Sequence, residues 1–212
     1  MNTNLTEIIF ILDRSGSMSG LEQETIKGYN NFLNGQRELP GAAQVTTVLF
    51  DNQYELLHNG VNIRLVKPIT GDEYFTRGST ALLDAVGKTI LDVGNRLDHT
   101  SEDDRPGRVV LIITTDGCEN ASQEFTRAKI RSMIRHQREK YSWEFIFLGA
   151  NIDADETADE LGIAGNRTAN FNADKDGLNT LFCCLECFVS DIREDVADID
   201  LKEAMAETEC ND

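Results

Sequence analysis

Short runs of apolar residues alternate along this chain with stretches in which apolar residues recur every three or four positions. The runs at 8–12, 109–113 and 143–149 are typical of strands that a sheet buries on both faces. The periodic stretches predict helices, at 21–37, 81–97, 124–140 and 178–194, and two shorter ones at 71–75 and 153–161. Strand-forming residues at 43–51, 54–65 and 167–171 complete the set.

The order of these elements predicts an α/β fold. Because strands and helices alternate, we expect a doubly wound, mostly parallel central sheet with helices on both faces. The strands at 43–51 and 54–65 are close enough to pair through a turn at Asp51 and Asn52, which predicts one antiparallel edge strand. The predicted domain spans residues 1–195.

The charge of the chain excludes several partners. Its 37 acidic and 20 basic residues give a formal net charge of -17, which repels phosphate backbones and anionic membranes. We therefore expect neither nucleic acid nor a membrane as partner. Residues 196–212 are predicted to form an acidic, solvated tail. The alternative for this tail is a helix with Val196, Ile199 and Met205 on a weak apolar face.

Cysteine usage and the N-terminus predict a cytoplasmic protein. Cys183, Cys184 and Cys187 are too closely spaced for the disulfide framework of a small secreted domain. The first apolar run is too short for a membrane span and has neither a basic flank nor a cleavage site. A soft-metal site that adds Cys118 and Cys210 is the alternative, but the apolar periodicity of 178–194 favours small buried side chains.

Oxygen-bearing side chains follow the first buried strand. Asp13, Ser15 and Ser17 occupy alternate positions of a tight loop, and a glycine at position 16 lets that loop curl so that all three converge. The simplest alternative for them is a turn with a serine that caps the next helix.

Two later junctions supply further oxygens. The strand from residue 109 ends at Asp116 and Gly117, and Thr80 stands at the start of the helix 81–97. In a doubly wound sheet, ligands bind at the carboxyl ends of the strands where the strand order reverses, so Asp13, Asp116 and Thr80 are expected to share one crevice. Thr80 as a helix cap is the alternative. Two carboxylates and three hydroxyls predict Mg²⁺, Mn²⁺ or Ca²⁺ over zinc.

These three segments resemble the metal ion-dependent adhesion site of von Willebrand factor type A domains. The resemblance extends over about residues 5–195, and the stretches 114–120 and 147–153 are similar to small stand-alone bacterial and phage members. It implies that Asp13, Ser15, Ser17, Thr80 and Asp116 hold the metal, directly or through water. It also implies that a carboxylate from a partner protein fills the open side. Members often work beside AAA+ ATPases or in stress and defence clusters.

An enzyme is the rival hypothesis. An aspartate at a strand end beside a cation can act as a nucleophile, so Asp13 could serve a Mg²⁺-dependent phosphohydrolase or phosphotransferase. The loop lacks a second carboxylate two residues after Asp13, and only Arg14 and Arg77 are placed to hold a phosphoryl group. Dinucleotide binding is disfavoured because Gly16 and Gly20 do not form a G-x-G-x-x-G pattern.

Two polar residues that follow Asp116, Glu119 and Asn120, are expected at the rim of the crevice.

Overall fold

The computed structural model describes residues 1–196 and 200–209, and in that part of the chain six strands and six helices alternate. The strands β1–β6 span Asn2–Asp13, Ala42–Phe50, Tyr54–Asn62, Pro106–Thr115, Glu144–Gly149 and Thr168–Asn170. The helices α1–α6 span Glu22–Glu38, Leu82–Asp98, Arg127–Tyr141, Ala154–Leu161, Lys175–Arg193 and Leu201–Glu209. None of these helices is long and apolar enough to cross a membrane.

The strands form one sheet in the order β3-β2-β1-β4-β5-β6. Every neighbouring pair is parallel except β2 and β3, which pair antiparallel at the edge. The predicted fold class is therefore confirmed. β1 is central because its apolar run pairs along its whole length with β2 on one side and β4 on the other.

Alternate residues of β1 feed two separate cores. Ile8, Phe10 and Leu12 pack with apolar residues of α1 and α5, whereas Ile9 and Ile11 pack with those of α2 and α3. The helix after β1 thus covers one face of the sheet, and the helix after β4 covers the other. The strand order reverses between β1 and β4, so the carboxyl ends of these two strands form the crevice where such folds bind ligands.

The predicted helix at 71–75 is wrong, because this segment forms a single turn. Tyr74 N–H and Glu73 N–H both donate to the Thr70 carbonyl, and the following residues up to Thr80 have no regular secondary structure. The Tyr74 side chain is buried, and its hydroxyl donates to the Asp13 carbonyl over 2.5 Å. This contact draws the segment under the loop after β1 instead of letting it continue as a helix.

The acidic tail is ordered by packing over part of its length. Leu201 and Met205 of α6 are buried in the core that α5 lines, and Cys184 Sγ lies 3.7 Å from the Ala204 carbonyl oxygen. The prediction of a solvated end is wrong for this segment, and the helical alternative holds, with its apolar face on the chain's own core. Val196 is exposed, and Ile199 lies outside the described residues. The predicted division at residue 195 stays a prediction.

The three clustered cysteines differ in burial. Cys184 is buried, as its apolar helix face predicts, but Cys183 and Cys187 are exposed, so the expectation of three buried thiols is wrong for these two. Cys118, Cys183 and Cys187 are free, and Cys210 lies outside the described residues. In the part of the chain that the structure describes, no group of three or more His, Cys, Asp or Glu side chains is arranged to hold a metal.

The packing of α6 predicts a measurable contribution to stability. Leu201→Ala leaves a cavity beneath α6, so we expect the free energy of unfolding to fall by about 2–5 kcal/mol in urea titrations. Leu65→Ala is the matched control, because Leu65 is 75% exposed and its truncation should change little. Equal effects of the two substitutions would contradict the docking of α6.

Candidate metal centre

The loop after β1 curls so that its oxygens face the carboxyl end of the sheet. Ser15 N–H donates to Asp13 Oδ1 over 2.7 Å, and Gly16 N–H donates to the Gly78 carbonyl over 3.2 Å. A 3-10 turn over Gly16–Met18 follows. It brings Ser17 Oγ to 3.0 Å from Ser15 Oγ. Neither serine side chain caps a helix, so the capping alternative fails.

Hydroxyl groups join the carboxylates of β1 and β4. Ser17 Oγ donates to Asp116 Oδ1 over 2.6 Å, and Thr115 Oγ1 donates to Asp13 Oδ2 over 2.6 Å. The other oxygen of Asp116, Oδ2, is buried and has no hydrogen-bond partner among the described residues. A buried carboxylate oxygen without a donor fits a site that a cation completes.

Thr80 reaches the same point from the start of α2. Its side chain is buried, and it caps no helix, because the residue that precedes α2 is Ala81. A Cβ placed on Gly117 would lie 3.0 Å from Ser17 Oγ and 3.2 Å from Thr80 Oγ1. The two hydroxyls therefore converge over Gly117, and a larger residue there would crowd them. The structure thus brings all five predicted residues together, while their role as metal ligands stays a prediction.

The two carboxylates share a buried, negative environment. Burial raises the pKa of Asp13 to about 6, although hydrogen bonds from Thr115 and Ser15 act against this rise. Burial also raises the pKa of Asp116, against the hydrogen bond from Ser17. Within residues 1–196 and 200–209, no lysine or arginine pairs with either carboxylate. A divalent cation would suit such a pair, because its charge favours the ionised form of both carboxylates.

Two acidic side chains lock the loop after Asp116 onto α2: Glu119, which the sequence predicted at the rim of the crevice, and Asp84, which it did not reveal as a site residue. Glu119 accepts from the backbone N–H groups of Leu83, Ala121 and Ser122 and from the Ser122 hydroxyl, over 2.7–3.0 Å. Asp84 accepts from three successive backbone N–H groups, those of Gln123, Glu124 and Phe125, each over 2.9 Å. Burial acts to raise the pKa of Asp84, but these donors outweigh it and lower the pKa.

We call these hydrogen bonds of Glu119 and Asp84 the clamp. The clamp also holds Thr80 against the loop. Thr80 N–H donates to Asn120 Oδ1 over 3.0 Å, and the Thr80 carbonyl accepts from the N–H groups of Asn120 and Ala121. The loop continues to Thr126, so α3 begins at Arg127 and not at the predicted residue 124, with the Thr126 side chain as its cap. Glu119 and Asn120 are thus anchors of the loop, where the sequence predicted only rim residues.

Arg14 lies between two predicted ligands in sequence but points away from them. Its guanidinium is fully buried and contacts Asp51 at 3.3 Å and Glu55 at 2.7 Å. Arg77 shares Asp51 over 2.6 Å, and both guanidinium groups lie over the ring of Phe75, at 5.5 and 5.3 Å from its centroid. This cluster fixes the loops around the site while keeping positive charge off its carboxylates.

Comparisons with known proteins identify the fold. No protein-family profile matches the chain, and no curated protein matches it by sequence. Solved structures do match. Proximal thread matrix protein 1 from the mussel byssus aligns over 88% of this chain and 46% of its own at 14% identity, with a TM-score of 0.62. Manganese-loaded TRAP protein of Plasmodium vivax aligns over 86% and 74% at 14% identity, with a TM-score of 0.59.

A bacterial structure adds a match over almost its full length. BatB from Bacteroides thetaiotaomicron aligns over 87% of this chain and 98% of its own at 11% identity, with a TM-score of 0.52. The class is thus a Rossmann-like α/β domain with its site at the strand ends. Within that class, the chain has the fold of von Willebrand factor type A domains, as the sequence resemblance predicted. The chain spans about half the length of the mussel protein, 46% of it.

The raised pKa of Asp13 predicts how metal-free protein responds to pH. Between pH 3.8 and about 6, the Asp13 carboxyl is protonated in the folded state but ionised in the unfolded chain, where its pKa is 3.8. The stability from this site is therefore complete below pH 3.8 and is lost as the pH rises through about 6. In chelator, we expect wild type to lose stability relative to Asp13→Asn across that range, by up to roughly 3 kcal/mol in urea unfolding.

Magnesium provides the control for this pH series. The cation should restore the stability of wild type above pH 6 and leave Asp13→Asn unchanged, because the variant lacks the charge that binds it. Asp72→Asn, at an exposed aspartate in a surface turn, should follow wild type throughout. A pH dependence shared by wild type and Asp13→Asn would show that the Asp13 carboxylate does not carry it.

The clamp predicts a loss of metal affinity from residues outside the metal's reach. In Glu119→Gln, an NH₂ group faces backbone donors, so the loop should shift and Thr80 with it. We expect magnesium affinity in calorimetry to fall by about tenfold or more. Glu124→Gln is the matched control, since Glu124 lies in the same loop but pairs with Lys88 at its surface. Unchanged affinity in Glu119→Gln would separate the clamp from the metal centre.

Proposed function

We propose that this chain is a divalent-cation-dependent protein-binding module that captures a partner carboxylate. Asp13, Ser15, Ser17, Thr80 and Asp116 would hold the cation, directly or through water. The observation that carries the proposal is the buried carboxylate pair, with Asp116 Oδ2 lacking a donor among the described residues, beside three converging hydroxyls. All these ligands are oxygens, which favours Mg²⁺, Mn²⁺ or Ca²⁺.

The neutral ligands explain why the bound metal would attract an anion. Three of the five side chains are hydroxyls, so the cation keeps part of its charge and draws a carboxylate to its open side. Two structural neighbours support a metal in this kind of site. The mussel protein was solved with zinc in its metal ion-dependent adhesion site (MIDAS) motif, and TRAP was solved loaded with manganese. We place the module in the cytoplasm, with an AAA+ ATPase or a stress or defence component as its partner.

Phosphoryl transfer has less support than binding. It would need a basic group to hold the transferred phosphoryl beside Asp13. Arg14 and Arg77 were the two basic residues placed for this task, but both guanidinium groups contact Asp51, and Arg14 is fully buried. We therefore propose binding, and not catalysis, as the role of the site.

The proposal predicts that cation binding and partner capture fail together. Asp13→Ala should abolish magnesium and manganese binding in calorimetry and should also abolish capture of the partner in pull-down experiments. A chelator should do the same to wild type, because the partner carboxylate binds through the cation. Asp72→Ala, at an exposed site, is the matched control and should bind both. Partner capture that survives both the chelator and Asp13→Ala would refute the proposal.

A further inference from the structure

A groove of about 500 Å³ lies directly beside the metal centre. One wall is the turn between β2 and β3, the other is the loop 119–125, and the first turns of α2 form the floor. Two of its lining residues are next to Thr80. Ser79 precedes Thr80 in the chain, and Asn120 Oδ1 accepts from Thr80 N–H over 3.0 Å. Its volume is within the range of roughly 300–1,000 Å³ that ligand sites occupy.

Both walls of the groove are held by carboxylates that accept backbone N–H groups. Asp51 Oδ1 accepts from Gln53 N–H over 2.6 Å, and the Asp51 carbonyl accepts from Ala81 N–H over 2.9 Å, which joins the turn to the floor. The opposite wall is fixed to α2 by Asp84 and Glu119. The groove is therefore preformed, and an occupant need not spend binding energy on ordering its walls.

The charges that line the groove are already paired. Asp51 contacts Arg14 and Arg77, Asp84 accepts three backbone N–H groups, and Lys88 pairs with Glu124 over 2.7 Å. Each of these charges already has a partner, so the hydrogen-bonding groups that remain for an occupant are mainly uncharged.

Side-chain amides supply the remaining hydrogen-bonding capacity. Asn52 and Gln123 form no side-chain hydrogen bond within residues 1–196 and 200–209. Gln53 and Asn120 use their oxygens, toward Arg77 and Thr80, and leave their NH₂ groups for an occupant. A primary amide both donates and accepts, which matches the N–H and C=O groups of an extended peptide.

We propose that the groove holds an extended segment of the partner protein, next to the acidic residue that binds the cation. The main chain of two or three neighbouring residues would pair with the amides of Asn52, Gln53, Asn120 and Gln123. This inference rests on the proposed function, because the cation must first take the carboxylate. It adds that the partner presents its acidic residue on an extended loop or terminus, since the main-chain groups inside a helix are already hydrogen-bonded to one another.

The test uses a displayed library of short peptides, each with one aspartate or glutamate and random neutral flanks, selected on wild type in manganese and eluted with chelator. We expect the selected peptides to bind at least about tenfold more tightly than the same acidic residue with blocked termini. Methylation of the peptide nitrogens beside the acidic residue should remove this advantage. A selected peptide that tolerates this methylation would overturn the groove proposal.

Variants of the groove separate it from the metal centre. Asn52→Ala and Gln123→Ala each remove one exposed amide, from opposite walls of the groove; together they should lose the peptide's advantage while keeping the manganese affinity of wild type. Ala128→Phe, on the exposed face of α3, is a control away from the groove and should bind peptides normally.

The outcomes distinguish the two proposals. Metal-dependent binding of carboxylates with no preference for peptides, or with equal peptide affinity in the double variant Asn52→Ala, Gln123→Ala, overturns the groove but keeps the proposed function. An oligosaccharide of uronic acids that binds more tightly than the selected peptides also overturns the peptide as occupant. A library with no enrichment over the chelator control, together with no binding of the blocked acidic residue, overturns both.

Discussion

Two carboxylates buried at the ends of neighbouring strands are the constraint on which the rest of this structure depends. Burial raises the pKa of Asp13 to about 6, a shift that corresponds to roughly 3 kcal/mol in favour of the protonated form. The charged form is stable there only if the surroundings supply compensating positive potential. Hydroxyls from Thr115 and Ser17 supply part of it, and one oxygen of Asp116 receives nothing from the described residues.

The arrangement of the arginines follows from the same constraint. An arginine beside Asp13 would neutralise the pair and remove its attraction for a cation. Arg14 follows Asp13 in sequence, but successive side chains leave an extended chain in opposite directions, so its guanidinium goes to Asp51 and Glu55. The cluster of Arg14, Asp51 and Arg77 thus stabilises the loops and preserves the negative centre. Asp13 and Arg14 can therefore be neighbours in sequence while the aspartate stays in the negative centre and the arginine stabilises the loops.

The sequence predicted the sheet and the five centre residues because both depend on local patterns. A short run rich in β-branched and aromatic residues such as 8–12 favours a strand buried on both faces, and strand ends of a parallel sheet share one edge. The role of Asp84 could not be predicted in this way. A carboxylate in the first turn of a helix is ordinary on its own, and its partners at 123–125 are about forty residues away. The signal that was available is the polar stretch 119–122, which has more hydrogen-bonding groups than a turn needs.

The acidic tail illustrates the opposite error. Composition averages over a segment, and the charge of the tail predicted solvation. Two apolar residues four positions apart nevertheless suffice to bury one side of α6.

Net charge and local burial also have separate effects at the candidate metal centre. The field of a chain with net charge -17 attracts cations from a distance and repels acidic partners, so it favours loading of the metal over encounter with the carboxylate. Under the proposed function, selection among partners must therefore come from short-range contacts around the cation. In our proposal the preformed groove beside Thr80 would provide such contacts, because hydrogen bonds to a peptide main chain depend on geometry and not on net charge.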